Sequence, residues 1–189
     1  MNISSLAPFC LSLLVLATAP LSAGAEMFSE TMRDGKISIC VEAPNTADGN
    51  TVTITPSGLA NDNRLVTFTT DKEVVRAWME DIKGDGTHEF FIQLRQPGSG
   101  SYGEVKAYST NGDKSLSEIF IAPPEEKDMT GYMGHDEFEL VENTLVRRYP
   151  VYQEGDSNAD PTGGYRQFQY KLEPGEAGWI FRLDRVVEY

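Results

Sequence analysis

The chain has 189 residues, with 29 acidic against 16 basic side chains and a formal net charge of −13 at pH 7. So acidic a surface argues against nucleic acid and anionic membranes as partners, because both are held through basic patches, and it suits a basic protein. Residues 1–25 read as a signal peptide: the apolar stretch "FCLSLLVLATAPLSAGA" ends in Ala23-Gly24-Ala25, small residues at the cleavage positions. That stretch is too short and too interrupted by Ser, Thr and Pro to span a bilayer. Cleavage before Glu26 leaves residues 26–189 as one domain, long enough for a core of its own. Cys10 leaves with the leader, so Cys40 has no partner for an internal disulfide and the fold must rest on its packing.

The remaining sequence alternates strand patterns with turn signals. "KISICVEA" (36–43) sets Ile37, Ile39 and Val41 against Ser38, Cys40 and Glu42, which makes Cys40 a structural residue of a strand. Asp48-Gly49 is a hairpin signal before "TVTITP" and "RLVTFTT". "EVVRAWMEDI" fits either period and is read as a strand. "HEFFIQLRQ" and "YGEVKAYST" follow, then the turn Asn111-Gly112-Asp113 leads into "KSLSEIFIA". "PPEEKDMTGYMGHD" is irregular, with room for one helical turn. "EFELVE", "TLVRRYPVYQ", "RQFQYKL" and "GWIFRLDRVVEY" complete the set, with "EGDSNADPTGGY" as a surface loop between paired flanks. About ten or eleven short strands without helical segments between them predict an all-β chain, a single-domain antiparallel β-sandwich.

No catalytic constellation stands out. His88 and His135 lie beside carboxylates but in no nucleophile or metalloprotease motif, so both are expected at the surface and the protein is not expected to be an enzyme. Two stretches approach a calcium loop. In "DIKGDGTHE", Asp81, Asp85 and Glu89 surround two glycines, yet Lys83 sits where a ligand belongs and Ile92 occupies the twelfth position. In "DSNAD", Asp156, Asn158 and Asp160 are followed by Pro161 where the turn needs glycine. Both are read as structural turns, with no metal and no cofactor.

The stretch "RQPGSGSYGEVKAYS" (95–109) is different. Gly98, Gly100 and Gly103 permit positive φ around Ser99, Ser101 and Tyr102, so a tight tip can present two hydroxyls with little bulk around them. Tyrosine adds a flat apolar face with one donor and acceptor, a common anchor of binding surfaces. Hydroxyls serve an ionised or a protonated carboxyl equally, which suits a cleft built around both. The plainer alternative is an ordinary glycine-rich hairpin.

"SGSY" at 99–102, its strand flanks and the later "PTGGYRQFQYKL" resemble the periplasmic inhibitors of invertebrate-type (i-type) lysozyme of Gram-negative bacteria, over nearly all of residues 26–189. The resemblance implies a periplasmic β-sandwich whose loop enters the lysozyme cleft and protects the peptidoglycan. Ser99 and Tyr102 would make the key contacts, and Gly100 and Ser101 would shape the loop. The partner implied is an i-type lysozyme, and a homodimer stays open. The rival reading is a calcium-stabilised or glycan-binding extracytoplasmic β module, with Asp81, Asp85 and Asp156 as metal ligands and Tyr102 stacked on sugar.

Overall fold

The computed structural model describes residues 26–46 and 48–189; the expected signal peptide lies outside them. Twelve strands run in chain order: β1 Phe28–Asp34, β2 Ile37–Ala43, β3 Asn50–Ser57, β4 Val66–Thr70, β5 Glu73–Glu80, β6 Glu89–Arg95, β7 Gly103–Ser109, β8 Ser117–Ile121, β9 Glu137–Val141, β10 Thr144–Pro150, β11 Tyr165–Gly175 and β12 Gly178–Glu188. A single 3₁₀ turn, Glu126–Met129, occupies the irregular stretch before β9. The all-β sandwich expected from the alternation is what forms.

Strands β1–β4 make a four-stranded sheet in sequence order, and the other eight form a second sheet in the order β5-β6-β7-β8-β12-β11-β10-β9. All pairs are antiparallel except one. β12 joins β8 in parallel over two residue pairs, Ile180 with Phe120 and Phe181 with Ile121. A wholly antiparallel sandwich therefore needs correcting at this seam, where the chain crosses from β8 to the far edge strand β9 instead of turning back on itself.

The pleat of β6 explains the layering. Phe90, Ile92 and Leu94 point to one face and join Ile39, Val41, Val52 and Ile54 of the first sheet in one apolar cluster. Phe91 points to the other and joins Val105, Ile119, Phe138, Leu145, Tyr149, Phe168 and Phe181 in a second cluster. β6 is thus covered on both faces, which is why it reads as a nearly unbroken apolar run rather than an alternation. Because the second cluster draws on β6 through β12, the eight-stranded sheet curls so that its two halves face each other. Each fully buried aromatic or branched side chain contributes roughly 1.5–3 kcal/mol relative to exposure.

Local chemistry sets the turns. Glu142 and Asn143 carry φ values of 48° and 65° between Val141 and Thr144, the pattern of a two-residue hairpin with both central residues left-handed. β5 is a strand with a register shift between Val74 and Arg76, and that shift blurred its alternation in the sequence. Cys40 is half-buried on the face of β2 opposite Ile39 and Val41, as the parity required.

Candidate functional site

The SGSY loop joins β6 to β7. Gln96 N–H donates to the carbonyl of Tyr102 at 2.8 Å and closes the mouth, and Ser101 N–H donates to the carbonyl of Gly98 at 3.2 Å to form the tip. Left-handed backbone falls on Gly98 (φ 124°) and Ser101 (φ 44°), not on Gly100 or Gly103. The two latter glycines are needed for space instead. A Cβ on Gly100 would lie 2.6 Å from Cε2 of Tyr102, and one on Gly103 would lie 2.7 Å from Cβ of Asp136.

The loop is braced from the side rather than free-standing. His135 N–H donates to the carbonyl of Gly100 at 2.8 Å. The side-chain amide of Asn158 donates to the carbonyl of Ser99 at 2.7 Å, and Gly103 N–H donates to Oδ2 of Asp136 at 2.7 Å. Two stretches that the sequence left as plain connections, 131–136 and 153–163, thus supply the support. Gly134 has φ 95° and packs so closely on the Gly100 carbonyl that no side chain fits there.

Beneath the loop Asp136 is a fully buried carboxylate with three donors. Besides Gly103 N–H it accepts from the Tyr132 hydroxyl at 2.5 Å and from Nε of Arg147 at 2.7 Å. Arg147 lies 4.9 Å from the ring of Tyr132 and 5.6 Å from that of Tyr149. Burial works against the guanidinium charge, but Asp136 outweighs it and holds Arg147 above the ordinary arginine range. Burial and the hydrogen bond to Asp136 both push the Tyr132 phenol upward. The network is anchored in β10 and leads to the loop through Asp136.

On that base the side chains of the motif divide. Ser101 is half-buried and its hydroxyl turns back to the Gly98 carbonyl at 3.4 Å. Ser99 is exposed, Tyr102 is 42% exposed, and neither hydroxyl bonds to any described residue. The Tyr102 ring meets Tyr132 edge-on at 5.5 Å, which fixes its inner edge and leaves the rest outward. Ser99 and Tyr102 are therefore displayed together, and Gly100 and Ser101 form the backbone between them.

The other singled-out residues take structural roles. Asp81 accepts from the backbone N–H groups of Asp85 and Gly86, at 3.1 and 2.8 Å. The ammonium of Lys83 lies 2.8 Å from Glu89 and 3.4 Å from Asp85, where a metal would have to sit. Asp156 holds its own turn through Gln153 N–H and Thr162. His135 is half-buried beside Asn158. His88 is not at the surface: it is buried, with Nδ1 3.1 Å from Asp113 and Nε2 3.1 Å from Asp34. The connection between the β1–β2 and β7–β8 turns places it there, and no local sequence signal shows that contact.

No family model matches the chain, and a search of curated proteins returns no match.

Proposed function

We propose that this chain is an exported inhibitor of i-type lysozyme, acting in the periplasm after removal of residues 1–25 and blocking the lysozyme cleft with the loop Ser99-Gly100-Ser101-Tyr102. The observation that carries the reading is the braced display of Ser99 and Tyr102, two hydroxyls without partners among the described residues on a backbone fixed by Gly134–Asp136 and Asn158. A loop already held in one shape loses little entropy on insertion, which favours affinity. Tyr102 has the size and amphipathic character of a binding hot spot. The acidic surface complements a basic lysozyme and speeds its encounter.

The reading as a calcium-stabilised module gains no support from the 81–89 loop, because the Lys83 ammonium already sits between Asp85 and Glu89 there. Inhibition is the direct test. Residues 26–189, added in excess to invertebrate-, chicken- and goose-type lysozymes acting on peptidoglycan, should abolish the activity of the invertebrate type. Undiminished activity of that enzyme would remove the proposal.

A further inference from the structure

A second site lies away from the loop tip, in the mouth between the two halves of the curled sheet. The parallel seam of β8 with β12 is only two residue pairs long, and the halves part beside it around a cavity of about 590 Å³. That volume falls within the roughly 300–1,000 Å³ of small-molecule pockets. Part of its wall is apolar: Val105 from β7, Ile119 from β8, Phe138 from β9 and Leu145 from β10. Arg147 and Tyr170 supply the polar lining at its inner side.

Arg147 decides the ligand. Its Nε serves Asp136, and its terminal amino groups, with the Tyr132 and Tyr170 hydroxyls nearby, make no other hydrogen bond of good geometry among the described residues. They are also not among the fully enclosed atoms that lack a partner, which are Asn50 Oδ1 and Glu89 Oε2. The guanidinium therefore turns donors to the cavity together with the Tyr170 hydroxyl, which lies within its reach. Asp136 pairs with the Nε side through Oδ1 and gives Oδ2 to Gly103 N–H and Tyr132, so neither of its oxygens serves the terminal amino groups. A planar guanidinium with free N–H groups in an apolar wall binds carboxylates in preference to water. Lys106, also on the lining, is already paired with Glu118 at 2.7 Å, and Glu104 is paired with Lys72 at 2.5 Å. With Arg147 paired to Asp136, Glu104 to Lys72 and Glu118 to Lys106, no excess of positive charge lines the cavity, which suits a single negative charge and not a phosphate dianion.

We infer that this cavity binds a small monocarboxylate with an aliphatic tail, the carboxylate held by Arg147 and Tyr170 and the tail lying along Val105, Ile119, Phe138 and Leu145. The site is independent of the lysozyme reading, and its test needs no lysozyme.

Decanoate is the probe, titrated below its micelle concentration into isotope-labelled residues 26–189, with 1-decanol as the uncharged control. Saturable shifts at Val105, Ile119 and Leu145 are expected for decanoate. Decanol keeps the tail but loses the charge-assisted bonds, so its binding should be weaker by about tenfold or more. Tyr170→Phe should weaken decanoate several-fold and leave decanol unchanged. Val105→Phe fills the cavity and should remove both; should that variant fail to fold, the decanol comparison and Tyr170→Phe decide. Absence of saturable binding, equal binding of acid and alcohol, shifts confined to other regions, or a Tyr170→Phe variant that binds decanoate as the parent does would each overturn the assignment.

Discussion

Two loops flank β6, and they use their polar side chains in opposite ways. At its start, residues 81–88 turn those groups inward: Asp81 caps two backbone N–H groups, Asp85 accepts from Thr87, and Lys83 is paired with Glu89. At its end, residues 96–102 are held almost wholly by main-chain atoms: the carbonyls of Ser99, Gly100 and Tyr102, and Gly103 N–H just beyond. The first loop has spent its side chains on its own shape. The second has Ser99 and Tyr102 left over. Both rest on a buried carboxylate beside a cation, so rigidity alone does not mark a site. What marks it is where the support comes from.

The sharpest way to break the comparison is to remove the buried charges. Asp136→Ala strands Arg147, the Tyr132 hydroxyl and Gly103 N–H together, and breaking such a buried pair costs roughly 3–5 kcal/mol. Urea unfolding measures this directly, and a loss below about 1 kcal/mol would show that the network does not support the loop. At the other end, Lys83→Met leaves the fully buried Glu89 without its cation and should cost a similar amount. Burial already pushes the Glu89 carboxyl upward, against the pull of Lys83. Adding Glu89→Leu to Lys83→Met should recover most of that loss, since both charges then leave together. A double variant no more stable than the single would mean that Glu89 is not held by Lys83.

Next in size are changes to the display itself. Tyr102→Ala should cost roughly 2 kcal/mol or more of lysozyme binding, about thirtyfold in affinity. Folding stability should fall only by the edge-on contact with Tyr132, about 0.5–1.5 kcal/mol. Ser99→Ala should cost roughly 1–3 kcal/mol of binding where it leaves a carboxyl of the cleft unpaired. Gly100→Ala tests shape without deleting a contact: its Cβ, 2.6 Å from the Tyr102 ring, must turn that ring aside. Its melting temperature should stay near that of the parent while inhibition weakens. Inhibition constants for i-type lysozyme check all three, and parent-like values for both Tyr102→Ala and Ser99→Ala would refute the role given to this loop.

Much of this arrangement could be read from the sequence, and the omissions follow a physical pattern. Strand-like patterns bounded by turn signals locate eleven of the twelve strands, most of them by period-two alternation. β1 gives no such pattern because Phe28–Asp34 is exposed along most of its length and carries little apolar signal. The turn chemistry at Asn111–Asp113 and the glycines of the SGSY loop were legible because such backbone is local. Which glycine needed positive φ was not, since Gly100 is excluded from bearing a side chain by Tyr102 and not by its own φ. Asp136, His135 and Asn158 lie 33 or more residues from their partners in the loop, and nothing local distinguishes them from other polar residues of irregular segments. His88 failed the same way: its neighbours at 34 and 113 become neighbours only when the sheets pack.

His88 gives the smallest expected effect, and its sign is fixed. Burial disfavours the imidazolium, but the hydrogen bonds to Asp34 and Asp113 outweigh burial and raise the histidine above its ordinary value. Protonation is then tighter in the folded state, so the stabilisation is fully present below the unfolded value of about 6.5 and fades as pH rises through the higher folded one. Asp113 runs the other way: burial opposes its charge, but His88 and Thr110 lower it, so its share is lost only on acidification well below neutrality. The Asp34 side chain is 72% exposed, so solvent weakens that half of the contact and keeps the total small. Melting temperatures of the parent and of His88→Gln between pH 5.5 and 8.5 make the comparison. The gap between them should be widest at the acid end and narrow steadily toward the alkaline end. A gap that is flat, or that widens with pH, would mean that the buried imidazole is neutral and that it joins the two turns by hydrogen bonds alone.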